Sequence, residues 1–182
     1  MGIIKVVVLG DTEVGKTSFT SRWTRGTFPD PSLLRTTVGA SFDTVKIRTP
    51  NRGECVLSIW DFGGQERFIE TLKGMIRGAK IGLFFFDVTR MSSLENLYRY
   101  WVSTAEKYGP FNLAKGDGKR FILVGNKIDL TPGSLHEIER EMGEFCSKFG
   151  TYSALVSAKT GIGMQQLDLH FREIVDSVSG TA

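Results

Sequence analysis

The chain has little cysteine, no strong charge of either sign and no long apolar run, and each shortage closes off a class of protein. Cys55 and Cys146 are the two cysteines among 182 residues. Cys55 falls in a strand-like run and Cys146 on the apolar face of a helix-like stretch, so both are expected in the core rather than in a disulfide or metal pair. A net charge of +3 is too small to draw the chain to nucleic acid or an acidic membrane, and the basic residues are scattered rather than clustered. No segment is long enough to cross a bilayer; the most apolar run, Ile81 to Phe86, has the length of a strand. No signal peptide is expected, because only four apolar residues separate Lys5 from a glycine-rich loop. Gly2 is not in a myristoylation context, since position 6 is Val. The sequence ends Val-Ser-Gly-Thr-Ala without a cysteine to prenylate, so no intrinsic lipid anchor is expected. These absences predict a cytoplasmic protein, one that partners recruit peripherally to membranes. With 41% hydrophobic and 24% charged residues, residues 1–182 suffice for one domain with a sizeable core.

What is present is organised around Gly10-Asp-Thr-Glu-Val-Gly-Lys-Thr17. It reads G-x-x-x-x-G-K-T between a β-branched run, Ile3 to Leu9, and a helix-compatible stretch, Lys16 to Arg25. That strand–loop–helix context is the one a phosphate-binding loop needs. Its backbone N–H groups can turn inward at phosphate oxygens, and the helix start adds its positive dipole end. Asp11, Thr12, Glu13, Val14, Gly15, Lys16, Thr17 and Ser18 are therefore candidate nucleotide contacts. Lys16 can reach the β- and γ-phosphates, and the Thr17 hydroxyl can sit on Mg²⁺.

Further along, strands and helices alternate. A hairpin is expected from Phe42–Arg48 and Glu54–Trp60 around the turn Pro50–Gly53. Ile81–Asp87 reads as a buried strand. Ser92-Ser-Leu-Glu95 resembles a capping box, followed at helical spacing by Leu94, Leu97, Trp101, Ala105 and Tyr108. Gly109–Lys119 reads as a loop and Phe121–Gly125 as a strand. Ser134-Leu-His-Glu137 resembles a second capping box before the stripe Ile138, Met142, Phe145 and Phe149, with Gly150 at the C-cap. Tyr152–Val156 reads as the last strand, and Met164, Leu167, Phe171, Ile174 and Val178 mark the last helix. The expected class is α/β, with an open, mostly parallel sheet covered on both faces and made mixed by one hairpin.

In such sheets ligands bind beyond the carboxyl ends of strands. Besides the phosphate loop, three motifs fall there. Asp61-Phe-Gly-Gly64 places a carboxylate that can hold Mg²⁺ through a water, and a Gly64 N–H that can approach a γ-phosphate. Gln65 follows, and its amide can both accept from and donate to an attacking water. Asn126-Lys-Ile-Asp129 offers a carboxylate that can accept from guanine N1–H and its 2-amino group together, neither of which adenine has. Lys127 can lay its stem along the base. Ser157-Ala-Lys159 closes the set, with the Ala158 N–H available to the guanine 6-oxo group.

Together these motifs resemble the Ras superfamily of small GTPases, from Ile3 to about Ser177. Trp60-Asp-Phe-Gly-Gly-Gln-Glu-Arg-Phe68 and Thr37-Val-Gly-Ala-Ser-Phe42 look most like its Rab branch. The resemblance implies a three-layer domain with a six-stranded sheet, about five helices and two nucleotide-sensing segments, switch I at 28–40 and switch II at 61–77. It makes Thr37 the switch I Mg²⁺ ligand and Phe28 the residue flanking the guanine. It implies a GDP/GTP cycle run by exchange factors and GTPase-activating proteins, with effectors meeting the switches and an aromatic triad. Phe42 and Trp60 match that triad, and Met75 stands at its third place. The chain departs from the Rab pattern in a 28–37 loop about two residues longer, without the usual tyrosine. Phe62-Gly63 replaces Thr-Ala, and the 109–119 loop is long. Two other readings compete: a scaffold that holds GTP and barely hydrolyses it, which would not need Gln65, and an ATP-using kinase or ATPase, which would not need Asp129.

Overall fold

The computed structural model describes residues 3–30, 40–63, 69–131, 133 and 135–178. Its centre is β1 (Ile3–Leu9), whose residues from Val6 to Leu9 are buried. A run buried on both faces has no reason to alternate, which is why it reads as continuous Val and Leu. The sheet has six strands in the order β2-β3-β1-β4-β5-β6. These are β2 (Ala40–Thr49), β3 (Gly53–Phe62), β4 (Ile81–Asp87), β5 (Phe121–Asn126) and β6 (Tyr152–Val156). β2 and β3 form an antiparallel hairpin with Phe42 opposite Trp60. Every other pairing is parallel. β1 therefore has β3 on one side and β4 on the other, and the loop leaving it emerges where the strand order reverses. That crevice is the usual ligand site of an open α/β sheet.

Helices cover both faces. α1 (Lys16–Arg25) and α6 (Met164–Ser177) lie over one core, in which Phe19, Phe85, Phe171 and Ile174 are buried. α2 (Ile69–Ile76) and α5 (His136–Phe149) lie over the other, with Phe84, Trp101, Phe121 and Phe145. A fifth helix, over residues 92–108, belongs to that second face. It is not uniform: α3 (Ser92–Asn96) passes into a π turn (Leu97–Trp101) and then α4 (Val102–Tyr108). The expected strands and helices are all present, with β2 and β3 a few residues longer than the sequence suggests.

Three local readings change. The Ser92–Glu95 capping box is not made. The helix begins after Met91 with no side-chain cap, which puts Ser92 inside the first turn rather than at the N-cap. The hydroxyl of Ser93 beside it accepts from the Asp87 N–H at 3.0 Å and donates to the Arg90 carbonyl at 2.6 Å. Ser134 of the second box lies outside the described residues, and α5 starts after Leu135 without a side-chain cap. The 109–119 segment is more ordered than a loop, containing two 3₁₀ turns, Leu113–Lys115 and Asp117–Arg120. Gly150 does cap α5: its N–H donates to the Cys146 carbonyl at 2.7 Å with φ 69°. Both cysteines are free, Cys55 buried and Cys146 half-buried.

Candidate functional site

The loop from Gly10 to Thr17 is shaped by two close approaches. A Cβ on Gly10 would lie 2.2 Å from the Phe85 carbonyl oxygen, and one on Gly15 would lie 2.3 Å from Asn126 Nδ2. Gly15 also has φ 92°, a conformation glycine adopts without steric cost. The first glycine thus lets β1 hand over to the loop beside β4, and the second lets the loop touch the β5 end. Val14 is buried, and its carbonyl accepts from Asn126 Nδ2 at 3.0 Å. Thr12 and Ser18 are half-buried, whereas Glu13 is exposed with φ 64°.

Lys16 is buried, and its ammonium reaches back across the loop to the carbonyls of Gly10, at 2.8 Å, and Asp11. Burial pulls its pKa down to about 8, while Asp61 and Asp11 pull the other way. A cation so poorly solvated and bonded to neutral carbonyls has unused capacity for an anion.

Asp61, at the end of β3, is fully buried. Its Oδ2 accepts from the Thr17 hydroxyl, with the Ser41 hydroxyl at 3.5 Å. Its Oδ1 is buried without a hydrogen-bond partner. Burial pushes its carboxyl above the ordinary range, opposed by the Thr17 bond and by nearby Lys16. An orphaned carboxylate oxygen beside a hydroxyl is the oxygen-donor chemistry a hard divalent cation takes, so Mg²⁺ fits here. No cluster of three or more His, Cys, Asp or Glu capable of holding a metal occurs among the described residues.

The opposite end of the loop is a second network. Asn126 is buried; besides Val14 it accepts, through Oδ1, from the Ala158 N–H at 3.0 Å. The donor expected to face a base oxygen is thus engaged by Asn126 in this structure. Asp129 Oδ1 accepts from the Ser157 hydroxyl at 2.6 Å, which fixes the plane of the carboxylate. Lys127 sits at φ 73°, and its ammonium donates to Asp87 Oδ2 at 2.6 Å. Burial would raise the Asp87 carboxyl, but hydrogen bonds from Lys127 and Thr89 outweigh it and hold the group below the ordinary range. Lys159 is exposed. Phe28 is partly buried against the core under α1 and α6.

Thr37, Gly64 and Gln65 lie outside the described residues, as do the rest of residues 31–39 in switch I and of residues 64–68 in switch II. Of the proposed triad, Phe42 is 54% exposed and meets Trp60 edge-on at 4.4 Å. Lys5 lies 3.6 Å over the Trp60 ring. Met75, on α2, is half-buried against the same core as Trp60.

Two residues at the site escaped the sequence reading. Asp87 ends β4 much as Asp61 lies one residue from the end of β3, so its strand-end position could have marked it. Arg22 carried no such signal. Half-way along α1, its guanidinium donates to the carbonyls of Ala158 at 2.9 Å, Lys159 at 2.6 Å and Gly26 at 2.9 Å. It thereby pins the loop after β6 to the helix that starts at the phosphate loop. Arg22→Ala is expected to speed release of bound guanine nucleotide by roughly tenfold, since it removes charge-assisted bonds from three carbonyls. Stopped-flow release of a fluorescent GDP analogue checks this.

A family model described as the Ras family matches residues 5–179. The chain is similar to Ras-related protein Rab-37 of Homo sapiens, 34% identical over 162 residues that cover 88% of this chain and 68% of that protein. It is also similar to Ras-related protein RABC1 of Arabidopsis thaliana, at 33% over 174 residues (95% and 76% covered). To Ypt/Rab-type GTPase YPT7 of Saccharomyces cerevisiae it is 31% identical over 176 residues (96% and 81% covered).

Proposed function

The chain belongs to the Ras family, as a Rab-like GTP-binding switch GTPase, and on that premise we propose how its own residues bind, hydrolyse and signal. The observation that carries the reading is convergence at one edge of the sheet. The ends of β1, β3, β5 and β6 bring Lys16, Asp61, Asn126, Asp129 and Ala158 together, cross-linked by the Asn126 bonds to Val14 and Ala158. In this proposal residues 1–182 form one GTPase domain. Backbone N–H groups of residues 11–18 and the Lys16 ammonium hold the phosphates, and Phe28, Asn126, Lys127, Asp129 and the 157–159 loop hold guanine. Thr17 and Thr37 would ligate Mg²⁺ directly and Asp61 through a water; the ion would neutralise charge on the β- and γ-phosphates. Gln65 orients the attacking water, the Gly64 N–H meets the γ-phosphate, and Lys16 stabilises charge moving onto the leaving GDP.

Hydrolysis by the isolated chain is slow in this reading. Positioning and charge neutralisation are in place, but the arginine that stabilises the transferring phosphoryl, worth about 10³–10⁵ in turnover, is supplied by a GTPase-activating partner. Loss of the γ-phosphate contacts to Thr37 and Gly64 then relaxes switches I and II. Exchange factors and effectors read that change through the switches and the Phe42, Trp60 and Met75 surface. Recruitment to membranes through such partners would place the switch in vesicle trafficking.

Single-turnover hydrolysis tests this. The expected rate is below about one turnover per minute, and Gln65→Leu should slow it at least about tenfold while changing GTP affinity by less than about threefold. Arg35 lies two residues before Thr37 in the sequence and is the local candidate for that arginine; on this reading it is a solvated loop residue, and Arg35→Ala should change little. Fast hydrolysis that collapses in Arg35→Ala would make Arg35 a built-in finger and overturn the need for a partner. A rate indifferent to Gln65→Leu would favour the GTP-holding scaffold.

A further inference from the structure

The phosphate loop contains two carboxylates, Glu13, which is exposed, and Asp11, which is half-buried and must be kept from the phosphates. Asp11 follows Gly10 directly, in a loop whose task is to present N–H groups and a lysine to anions. A carboxylate turned inward there would oppose that task by like-charge repulsion. In this structure both of its oxygens are occupied from the other side. Oδ1 accepts from the indole Nε1 of Trp101 at 2.8 Å, and Oδ2 accepts from Asn96 Nδ2 at 2.7 Å. The neighbouring Thr12 carbonyl accepts from the Arg90 guanidinium at 2.7 Å. The Asp11 carbonyl in turn accepts from Lys16.

Asn96 and Trp101 are five positions apart. In an α-helix, at 3.6 residues per turn, positions five apart point about 140° away from each other, and two such side chains could not grip one carboxylate. The helix solves this with its π turn, Leu97–Trp101, in which the Val102 N–H donates to the Leu97 carbonyl five residues back. A bond five residues back widens the turn beyond four residues, which swings positions five apart from nearly opposite sides to neighbouring places on one face. The departure from α geometry falls between the two residues that share Asp11.

We propose that Trp101 and Asn96 are positioning residues for nucleotide binding: through Asp11 they hold the Gly10–Thr12 half of the phosphate loop open to phosphate, and the π turn is the device that lets both reach it. This rests on the reading that the loop holds the nucleotide's phosphates. It makes the 92–108 helix a further support of the loop, beside β1, α1 and the Asn126 end of β5. Trp101 is then more than a core aromatic, since its ring fills the second core while its N–H serves the site.

The test measures GDP release and melting temperature on the whole chain. Asn96 is exposed, so Asn96→Asp costs little folding stability but sets a carboxylate against Asp11. GDP release should accelerate about tenfold with the melting temperature shifted by no more than about 2 °C. Combining it with Asp11→Asn, which puts an amide donor opposite the new carboxylate and still offers Trp101 an acceptor, should bring release back to within about threefold of the parent. Independently, Trp101→Phe should speed release in the parent but not in an Asp11→Ala background, as expected for two residues acting through one contact. An unchanged release rate in Asn96→Asp, no recovery in the exchanged pair, or an equal effect of Trp101→Phe in both backgrounds would each overturn the proposal. A parent protein that retains no GDP would instead refute the phosphate-loop reading on which it stands.

Discussion

Asp129→Asn is expected to move base preference from guanine to xanthine nucleotides. One oxygen of the Asp129 carboxylate is already committed to the Ser157 hydroxyl at 2.6 Å. That bond holds the carboxylate plane, and in the proposed site it leaves Oδ2 for the base edge. Guanine offers two donors there, N1–H and the 2-amino group, and an ionised oxygen accepts from both. In the variant, the amide oxygen can keep the Ser157 bond, which turns the NH₂ group toward the base. Donor then meets donor, and the guanine groups are left unpaired. Xanthine carries a 2-oxo group at that place and accepts from the amide. A site built to hydrogen-bond one pattern rejects the other by several orders of magnitude, so GTP affinity should fall by roughly 10²–10⁴ and xanthosine triphosphate binding should rise correspondingly. Competition between the two nucleotides for a fluorescent probe measures the ratio. An unchanged guanine preference would remove Asp129 from base recognition, whatever role it kept in holding Ser157.

Much of this arrangement was legible in the chain because strong local signals and the fold agree. The buried strands announce themselves as continuous apolar runs, and each is followed by a short polar motif at the sheet edge where ligands bind. What was not legible depends on contacts made across the fold. The Ser92–Glu95 box matches a local pattern, yet the helix starts one residue earlier, after Met91, and uncapped, while Ser93 is bonded to the end of β4. The π turn is invisible because Leu94, Leu97, Trp101 and Ala105 keep 3–4 spacing through it; periodicity marks which residues face the core and is blind to one wider turn. Arg22 reads as a surface arginine on α1 until β6 brings the Ala158 and Lys159 carbonyls to it, 136 and 137 positions away. Asn126 shares a motif with Asp129, and its two side-chain atoms tie Val14 to Ala158. A motif can be recognised from its residue types while the division of labour within it is set by partners far off in sequence.

The division of labour at Thr17 leads to the other large effect. Its hydroxyl donates to Asp61, and a hydroxyl that donates its proton still has lone pairs for a metal. Thr17 can therefore ligate Mg²⁺ and orient Asp61 at once, with Asp61 Oδ1 left for a metal-bound water. In Thr17→Asn, a carbonyl oxygen turned to the metal has no proton for Asp61, and an NH₂ group turned to Asp61 has no lone pair for the metal. Acceptor and donor are then split between two atoms, so neither takes the place of the single hydroxyl oxygen, and the larger side chain crowds a buried carboxylate. Because the ion would neutralise charge that GTP carries on its γ-phosphate and GDP lacks, the loss should fall more heavily on GTP. GTP affinity is expected to drop at least about 100-fold and GDP affinity about ten times less, the scale on which metal-site substitutions act. Titrating both nucleotides with excess Mg²⁺ and again with a chelator separates metal loss from misfolding. With the metal withdrawn, parent and variant should bind GTP with similar affinity. Equal losses for GTP and GDP, or a variant that stays far weaker than the parent under chelation, would show that Thr17 shapes the loop rather than holding the ion.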